Sequence, residues 1–226
     1  MRNLIGVETA IAHRFPAVAA GRARREWPSN EERWERYGPL HLPGSRMLIV
    51  GYGRIGRGIA RAAQAFGIEV VGLSRSGTRA YGDEVDGVRI GAISALDEEL
   101  AAADWVVVCT PGTPETLGLI GPGQFDAMKH GAHLIDVARG GVVVESALLE
   151  ALDSGRLAGA ALDVFEQEPL PAASPLWARE DIILTPHVSG LASDYHDVVQ
   201  DLFVDNLSRY LDGRPLVNTI DRSLGY

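Results

Sequence analysis

The sequence predicts an α/β fold built on a parallel sheet with helices on both faces, and three observations support this class. Short apolar runs, typical of buried strands, alternate along the chain with helical patterns. A glycine-rich turn joins the first of these strands to the helix that follows it. The 226 residues are 46% hydrophobic and 23% charged, an ordinary globular composition with enough apolar material for a sizeable core.

The regular alternation begins at residue 46. Each predicted strand is a short, mostly apolar run, and each predicted helix carries apolar residues on one stripe. Since parallel strands need a crossover connection, the alternation predicts right-handed βαβ units and a doubly wound sheet, with further helices at both termini. The predicted strands are 47–50, 68–73, 105–109, 133–137, 158–162 and 182–184, and the predicted helices are 1–20, 54–66, 96–103, one that includes 125–129, 145–152 and 194–211.

Gly51, Gly53 and Gly56 form the pattern G-x-G-x-x-G between the first predicted strand and its helix. In such a turn the first glycine allows a tight bend, the second lets a pyrophosphate approach the main chain, and the third lets the helix pack closely on the strand. The N-terminus of the helix then offers N–H groups to the phosphates. The pattern therefore predicts a Rossmann-type dinucleotide site, with a glycine-rich turn that binds nothing as the structural alternative.

The end of the second predicted strand bears on which dinucleotide is bound. A carboxylate at this position usually holds the ribose 2′-hydroxyl of NAD. Here the strand is followed by Ser74, Arg75 and Ser76, with Thr78 and Arg79 beyond them. Hydroxyls and a guanidinium suit a 2′-phosphate, because arginine binds phosphate through a bidentate fork. The sequence therefore favours NADP(H) as the cofactor, with NAD(H) as the alternative if Arg75 only faces solvent.

Charge and composition exclude several classes. The net charge of −9 argues against a nucleic-acid-binding surface, which requires clustered positive charge. No apolar run approaches the roughly 20 residues that span a bilayer. The single cysteine, Cys109, excludes an intrachain disulfide and is typical of a reducing compartment. His130 and His133 lack the cysteine or acidic cluster that would complete a metal site. We therefore expect a cytoplasmic protein without a metal, and with no nucleic-acid or membrane partner.

Three segments that follow the later strands carry the remaining chemistry. Segment 136–141 contains Arg-Gly, segment 162–171 contains Glu-Pro, and segment 185–190 contains Pro-His. Together with the glycine pattern, this ordered set resembles the D-isomer-specific 2-hydroxyacid dehydrogenases, which include glyoxylate/hydroxypyruvate reductases, D-lactate dehydrogenase and phosphoglycerate dehydrogenase. The resemblance extends from about residue 1 to residue 221.

The resemblance implies a role for each of several residues. Arg139 matches the arginine that binds the carboxylate and keto oxygen of the substrate. His187 matches the catalytic histidine, and Glu168 matches the acid that pairs with it. Asp163 matches the acid near the nicotinamide amide. The predicted cofactor-binding residues are Gly51, Gly53, Arg54, Ile55, Gly56, Ser74, Arg75, Ser76, Thr110, Pro111, Thr116, Val137, Ala138, Arg139, Asp163, His187 and Gly190, and the predicted catalytic residues are Arg139, Glu168 and His187.

These residue types suit the reduction of a 2-keto acid. Transfer of a hydride from a nicotinamide leaves an alkoxide, and a histidine that titrates near neutral pH can protonate it. A neighbouring carboxylate favours the imidazolium form, and a guanidinium holds the substrate carboxylate. We therefore predict an NAD(P)-dependent oxidoreductase acting on a small 2-keto or 2-hydroxy acid. The alternative is an NADP(H)-binding sensor or co-repressor-like module, which has no chemical need for all three residues.

The predicted division of the chain is a linking helix and dimerisation arm (1–45), a dinucleotide-binding domain (46–190), and a C-terminal helix and tail (191–226). The resemblance implies a homodimer formed through the cofactor domain, and the charged, Trp-bearing stretch 21–45 is either an interface arm or a solvated one. Family members also carry a substrate domain of roughly a hundred residues before the segment that Met1 begins. Three expectations follow: a fragment of a longer dehydrogenase, which we favour, a short cofactor-binding protein, or a short enzyme completed by another subunit.

Overall fold

The computed structural model describes residues 2–77 and 85–220, and it confirms the α/β prediction. Seven parallel strands form one sheet in the order β3-β2-β1-β4-β5-β6-β7. The strands are β1 (Arg46–Val50), β2 (Glu69–Ser74), β3 (Arg89–Ala92), β4 (Trp105–Val108), β5 (Ala132–Asp136), β6 (Leu157–Leu162) and β7 (Ile182–Leu184).

The strand order places a crevice at one edge of the sheet. From β1 the chain continues to β2 and β3 on one side, and it then returns to β4 on the other side of β1. Val50 and Val108 are paired at the carboxyl ends of β1 and β4. Because the connections leave these two ends in opposite directions, a ligand crevice forms outside them.

Eight α-helices accompany the strands in the described residues. The helices are α1 (Arg2–Ala12), α2 (Phe15–Arg24), α3 (Asn30–Tyr37), α4 (Arg54–Ala65), α5 (Leu96–Leu100), α6 (Pro122–Ala127), α7 (Glu145–Asp153) and α8 (Tyr195–Leu211). The side chains of β1 alternate between two cores on opposite faces of the sheet: Leu48 and Val50 belong to one, Met47 and Ile49 to the other. Burial on both faces explains why the strands read as apolar runs.

The structure differs from the predicted elements at three places. Helix α3 lies in the charged stretch 21–45, for which no helix was predicted, and a capping box formed by Ser29 and Glu32 begins it. The single helix predicted for 1–20 is broken, because Arg14 adopts a left-handed conformation (φ 52°) and Pro16 lies in the first turn of α2. Proline is compatible with a first turn but not with a helix interior. Strand β3 was not predicted, because this partly exposed edge strand of four residues lacks a continuous apolar run.

The described chain divides into two compact units, one up to Ser189 and a second from Gly190 onward. In the second unit, Asn206 on α8 bonds through its side chain to both backbone groups of Val217, at 2.9 and 3.1 Å. This pair of bonds ties the segment after α8 back onto the helix. Within the described residues, none of the helices combines the length and apolar character that crossing a bilayer requires.

Candidate functional site

The glycine-rich turn touches the segment that follows β4. Gly51 has φ +100°, and a Cβ at this position would lie 2.8 Å from the carbonyl carbon and oxygen of Cys109 and from the nitrogen of Thr110. Both the conformation and the space exclude a side chain. The Sγ of Cys109 donates to the carbonyl oxygen of Gly51 at 3.1 Å, and burial raises the pKa of that thiol to about 12. Cys109 is therefore an inert thiol at the base of the crevice.

The other two glycines of the turn have different surroundings. A Cβ on Gly56 would lie 2.8 Å from the carbonyl oxygen of Gly51 and 3.0 Å from Cγ2 of Ile49, so this glycine lets α4 pack on β1. Among the described residues, no atom lies within 4 Å of a Cβ placed on Gly53, and no side chain caps the N-terminus of α4. The helix therefore opens onto a free space at Gly53, which suits a phosphate. Ile55 in the first turn is exposed.

A buried hydroxyl, that of Thr110, lies beside this turn. Thr110 is 8% exposed, and its Oγ1 makes no hydrogen bond with any described residue. Leaving such a group unpaired is costly, so the geometry fits a ligand atom that bonds to it. Together with the open space at Gly53, this orphan hydroxyl shows that the residues present fit a bound dinucleotide. Thr116 stabilises the loop itself. Its Oγ1 donates to Pro111 O at 2.7 Å and accepts the N–H of Thr113 at 2.9 Å.

The residues predicted to contact a 2′-phosphate lie at the carboxyl end of β2 and directly after it, at the same edge of the sheet. Ser74 is partly buried, whereas Arg75 and Ser76 are exposed. The pKa of Glu115, in the loop after β4, is lowered chiefly by a hydrogen bond from Thr113 and further by the charge of Arg75. The positive charge of Arg75 therefore acts on a carboxylate in the loop after β4. Thr78 and Arg79, which were also predicted here, lie outside the described residues.

Arg139 follows β5 on a turn that Asp136 organises. The Oδ1 of Asp136 accepts the backbone N–H of Ala138 at 2.9 Å, and burial raises the pKa of this carboxyl to about 7. Arg139 is exposed and its Nη1 donates to Ala138 O at 2.7 Å. The stem of Arg139 lies against Gly112, where a Cβ would come within 3.1 Å of its Cγ. Asp136 was not predicted as a site residue, although an aspartate two residues before a turn amide is a recognisable signal.

Glu168 and His187 form a hydrogen-bonded pair. The Oε2 of Glu168 lies 2.7 Å from Nδ1 of His187, and its Oε1 accepts the backbone N–H of Phe165 at 3.0 Å. The hydrogen bond with His187 holds the pKa of Glu168 below its usual range. Because Nδ1 is engaged, Nε2 is the nitrogen left to exchange a proton with another molecule. The histidine side chain is 46% exposed, which leaves it accessible.

Asp163 holds the loop that carries His187. Its Oδ1 accepts the Thr185 hydroxyl at 2.5 Å and the Val188 N–H at 2.9 Å, and its Oδ2 accepts the Ser189 N–H at 2.9 Å. Burial raises the pKa of this carboxyl, but these bonds outweigh burial and lower it overall. His187, inside the bonded segment, has φ +52°, which is uncommon for residues other than glycine. The resemblance implied a contact of Asp163 with the nicotinamide amide and gave no sign of this anchoring.

The structure brings the predicted catalytic residues to one edge of the sheet. Arg139, Glu168 and His187 follow β5, β6 and β7, which are neighbouring parallel strands. Val137 and Ala138 lie in the turn before Arg139. Gly190 is the first residue of the second compact unit. In the described parts of the chain, no three His, Cys, Asp or Glu side chains are grouped to hold a metal ion.

A doubly wound parallel sheet with an open glycine-rich turn at its switch point defines the class of dinucleotide-binding α/β domains. Residues 7–189 match the family model described as the NAD binding domain of D-isomer specific 2-hydroxyacid dehydrogenases. The chain belongs to this family.

Relatives with curated names are longer proteins. The chain is 33% identical over 214 residues to a hydroxypyruvate reductase from Blautia hydrogenotrophica, a match that covers 94% of this chain and 63% of the relative. It is 33% identical over 193 residues to a D-3-phosphoglycerate dehydrogenase from Archaeoglobus fulgidus, covering 84% of this chain and 36% of the relative. The chain therefore spans less than two-thirds of the length of these relatives.

Solved structures share the fold over nearly the whole chain. A D-isomer specific 2-hydroxyacid dehydrogenase from Xanthobacter autotrophicus Py2, in complex with NADPH and MES, superposes with a TM-score of 0.82 and 33% identity, covering 98% of this chain and 87% of that one. An NADPH-dependent glyoxylate/hydroxypyruvate reductase from Sinorhizobium meliloti, in complex with NADP and sulfate, superposes with a TM-score of 0.83 and 31% identity. This match covers 96% of this chain and 66% of that one.

Proposed function

We propose that this chain is the cofactor-binding part of an NADP(H)-dependent 2-hydroxyacid dehydrogenase that interconverts small 2-keto and 2-hydroxy acids. The observation that carries the proposal is the 2.7 Å contact between Glu168 Oε2 and His187 Nδ1, at the sheet edge that also bears the dinucleotide turn and Arg139. A protein that only bound the cofactor would need the turn but not this pair. The similarity to hydroxypyruvate and glyoxylate reductases supports the same substrate class.

Each residue has a distinct role in the proposed reaction. The nicotinamide, when bound, supplies the hydride for reduction of the keto carbon. The exposed guanidinium of Arg139 binds the substrate carboxylate, which fixes the orientation of the keto group. His187 then donates a proton from Nε2 to the developing alkoxide, and Glu168 holds the ring through Nδ1 so that Nε2 faces the substrate. The open turn at Gly53 and the Thr110 hydroxyl hold the dinucleotide.

The test is consumption of NADPH with glyoxylate, hydroxypyruvate and pyruvate, using protein whose intact mass matches the 226-residue chain. Turnover of any of these acids supports the proposal. NADPH binding without turnover would instead favour the cofactor-binding alternative for this chain. Failure to bind either nicotinamide cofactor would contradict both.

We further propose that Arg75, with Ser74 and Ser76, selects NADP(H) over NAD(H). The change Arg75→Gln is expected to weaken NADPH binding about tenfold or more and to leave NADH binding nearly unchanged, because only NADPH carries the 2′-phosphate. Fluorescence titration of both reduced cofactors measures the two dissociation constants. Arg61→Gln, at an exposed arginine on α4, is the control and should change neither constant. Equal affinity of the wild-type protein for both cofactors would contradict this assignment.

We also propose that the chain forms a homodimer through its cofactor domain, with the charged, Trp-bearing arm of residues 21–45 at the interface. The arm exposes Trp27 at 87% and Trp34 at 77%, and exposed tryptophans are typical of interface anchors. Sedimentation equilibrium is expected to give a dimer for the wild type and a monomer for the double variant Trp27→Ser/Trp34→Ser. Trp177→Ser, at a 56% exposed tryptophan outside the arm, is the control and should remain dimeric. A monomeric wild-type protein would exclude the proposed dimer.

We propose a cytoplasmic location, which the single cysteine supports because secreted domains of this size often carry disulfides.

A further inference from the structure

Two glutamates near the predicted catalytic residues bond to each other's main chain. The backbone N–H of Glu145 donates to Oε1 of Glu166 at 2.9 Å, and the backbone N–H of Glu166 donates to Oε1 of Glu145 at 2.6 Å. Glu145 is the first residue of α7, and Glu166 lies in the loop after β6. This reciprocal pair, here called the glutamate clamp, therefore joins the start of α7 to the loop that carries Glu168.

Bringing two carboxylates together has an electrostatic cost. The pKa of Glu145 is raised, first by burial and further by the charge of Glu166. Two features of the structure offset this cost. Val144, which precedes α7, provides no side-chain cap, so Glu166 caps the first N–H of the helix in its place. A negative charge at a helix N-terminus is also favoured by the helix dipole.

The glutamate clamp continues into the residues proposed to act on substrate. Next to Glu166, Phe165 donates its N–H to Oε1 of Glu168, whose other oxygen bonds to His187. On the other side of the clamp, Gly140 follows Arg139 and lies against the same loop, so that a Cβ on Gly140 would come within 1.8 Å of the Phe165 carbonyl oxygen. The segments that carry Arg139 and Glu168 are thus joined at Gly140 and at the clamp.

We propose that the glutamate clamp is a positioning device that fixes the Glu168–His187 pair relative to Arg139. This inference rests on the proposed function, because the spacing matters for a substrate held between Arg139 and His187. Glu145 and Glu166 act through the backbone of the loop and touch neither substrate nor cofactor. Misplacing a catalytic group by about 1 Å lowers turnover about a hundredfold, which is why such a device has a measurable effect.

The experiment compares Glu166→Ala with Glu166→Gln. Alanine removes the oxygen that accepts the Glu145 N–H, whereas glutamine keeps an acceptor and removes only the charge. With NADPH and the best 2-keto acid, kcat of the alanine variant is expected to fall about tenfold to a hundredfold, with unchanged NADPH affinity. The glutamine variant should stay close to the wild type. Glu150→Ala, at an exposed glutamate on the same helix, is the matched control.

A second readout is independent of turnover. Carbon-13 detected titration of the Glu168 carboxyl should give a pKa below the usual range in the wild type and in the glutamine variant. In the alanine variant this pKa should rise, because the released loop loosens the bonds of Glu168 to Phe165 and His187. If the wild type shows no turnover, the proposed function fails while the titration still tests the clamp. An unchanged Glu168 titration in the alanine variant, or a glutamine variant that behaves like alanine, would overturn the inference.

Discussion

The change His187→Asn is expected to lower kcat for 2-keto acid reduction by about a hundredfold to ten-thousandfold. An asparagine has no group that can donate a proton at neutral pH, so protonation of the alkoxide falls to water. Affinity for NADPH should change less than about twofold, because the dinucleotide turn and Thr110 are untouched. Asparagine disturbs the backbone less than alanine would, because His187 has φ +52° and asparagine adopts this conformation more readily than alanine does.

The companion variant His187→Ala should lose turnover to the same extent and should also be slightly less stable, because its backbone is strained. His130→Ala, at an exposed histidine, is the control and should retain wild-type kcat. Steady-state rates and NADPH fluorescence titrations measure the two quantities separately. Loss of NADPH binding in the asparagine variant would contradict a catalytic role and indicate a structural histidine.

The change Asp163→Ala is expected to lower the free energy of unfolding by about 3 kcal/mol or more and the melting temperature by roughly 6–12 °C. Asp163 is 3% exposed and its carboxylate accepts bonds from Thr185, Val188 and Ser189, so its removal leaves three donors without their partner. Turnover should fall as well, since these bonds hold the loop that carries His187. Chemical denaturation and NADPH-coupled rates measure the two effects.

A second variant and the pH dependence of stability both test whether the ionised carboxylate of Asp163 causes the loss. Thr185→Val removes one donor and should cost less than half as much stability as Asp163→Ala. The stability difference between the wild type and Asp163→Ala should also depend on pH. Since the folded protein holds the pKa of Asp163 below its usual range, the stabilisation is present above the ordinary pKa of an aspartate and is lost as the pH falls through the folded value. A difference that stays constant from neutral to acid pH would contradict the role of the ionised carboxylate.

Several features of the fold could be predicted from the sequence because their signals are local. The apolar run at β1, the glycine pattern after it and the helical spacing of α4 lie within about 20 consecutive residues. Their physical causes, which are strand burial, backbone access and helix packing, act between near neighbours. The edge strand β3 and the break at Arg14 were missed, because partial exposure and a single left-handed residue leave no periodic signal.

In the candidate site, too, some features could be predicted from the sequence and others could not. The sequence by itself determined the order of the elements, the dinucleotide turn, and the presence of Arg139, Glu168 and His187 after successive strands. The resemblance implied that Glu168 pairs with His187, and in the structure the two side chains bond across 19 residues. Only the tertiary structure decided that Asp163 bonds to amides 25 and 26 residues away. Such contacts depend on the register of neighbouring parallel strands and on where each loop leaves the sheet. The sheet, rather than any one segment, therefore buries the Thr110 hydroxyl where none of the described residues bonds to it, and it joins two glutamates that the sequence alone did not connect.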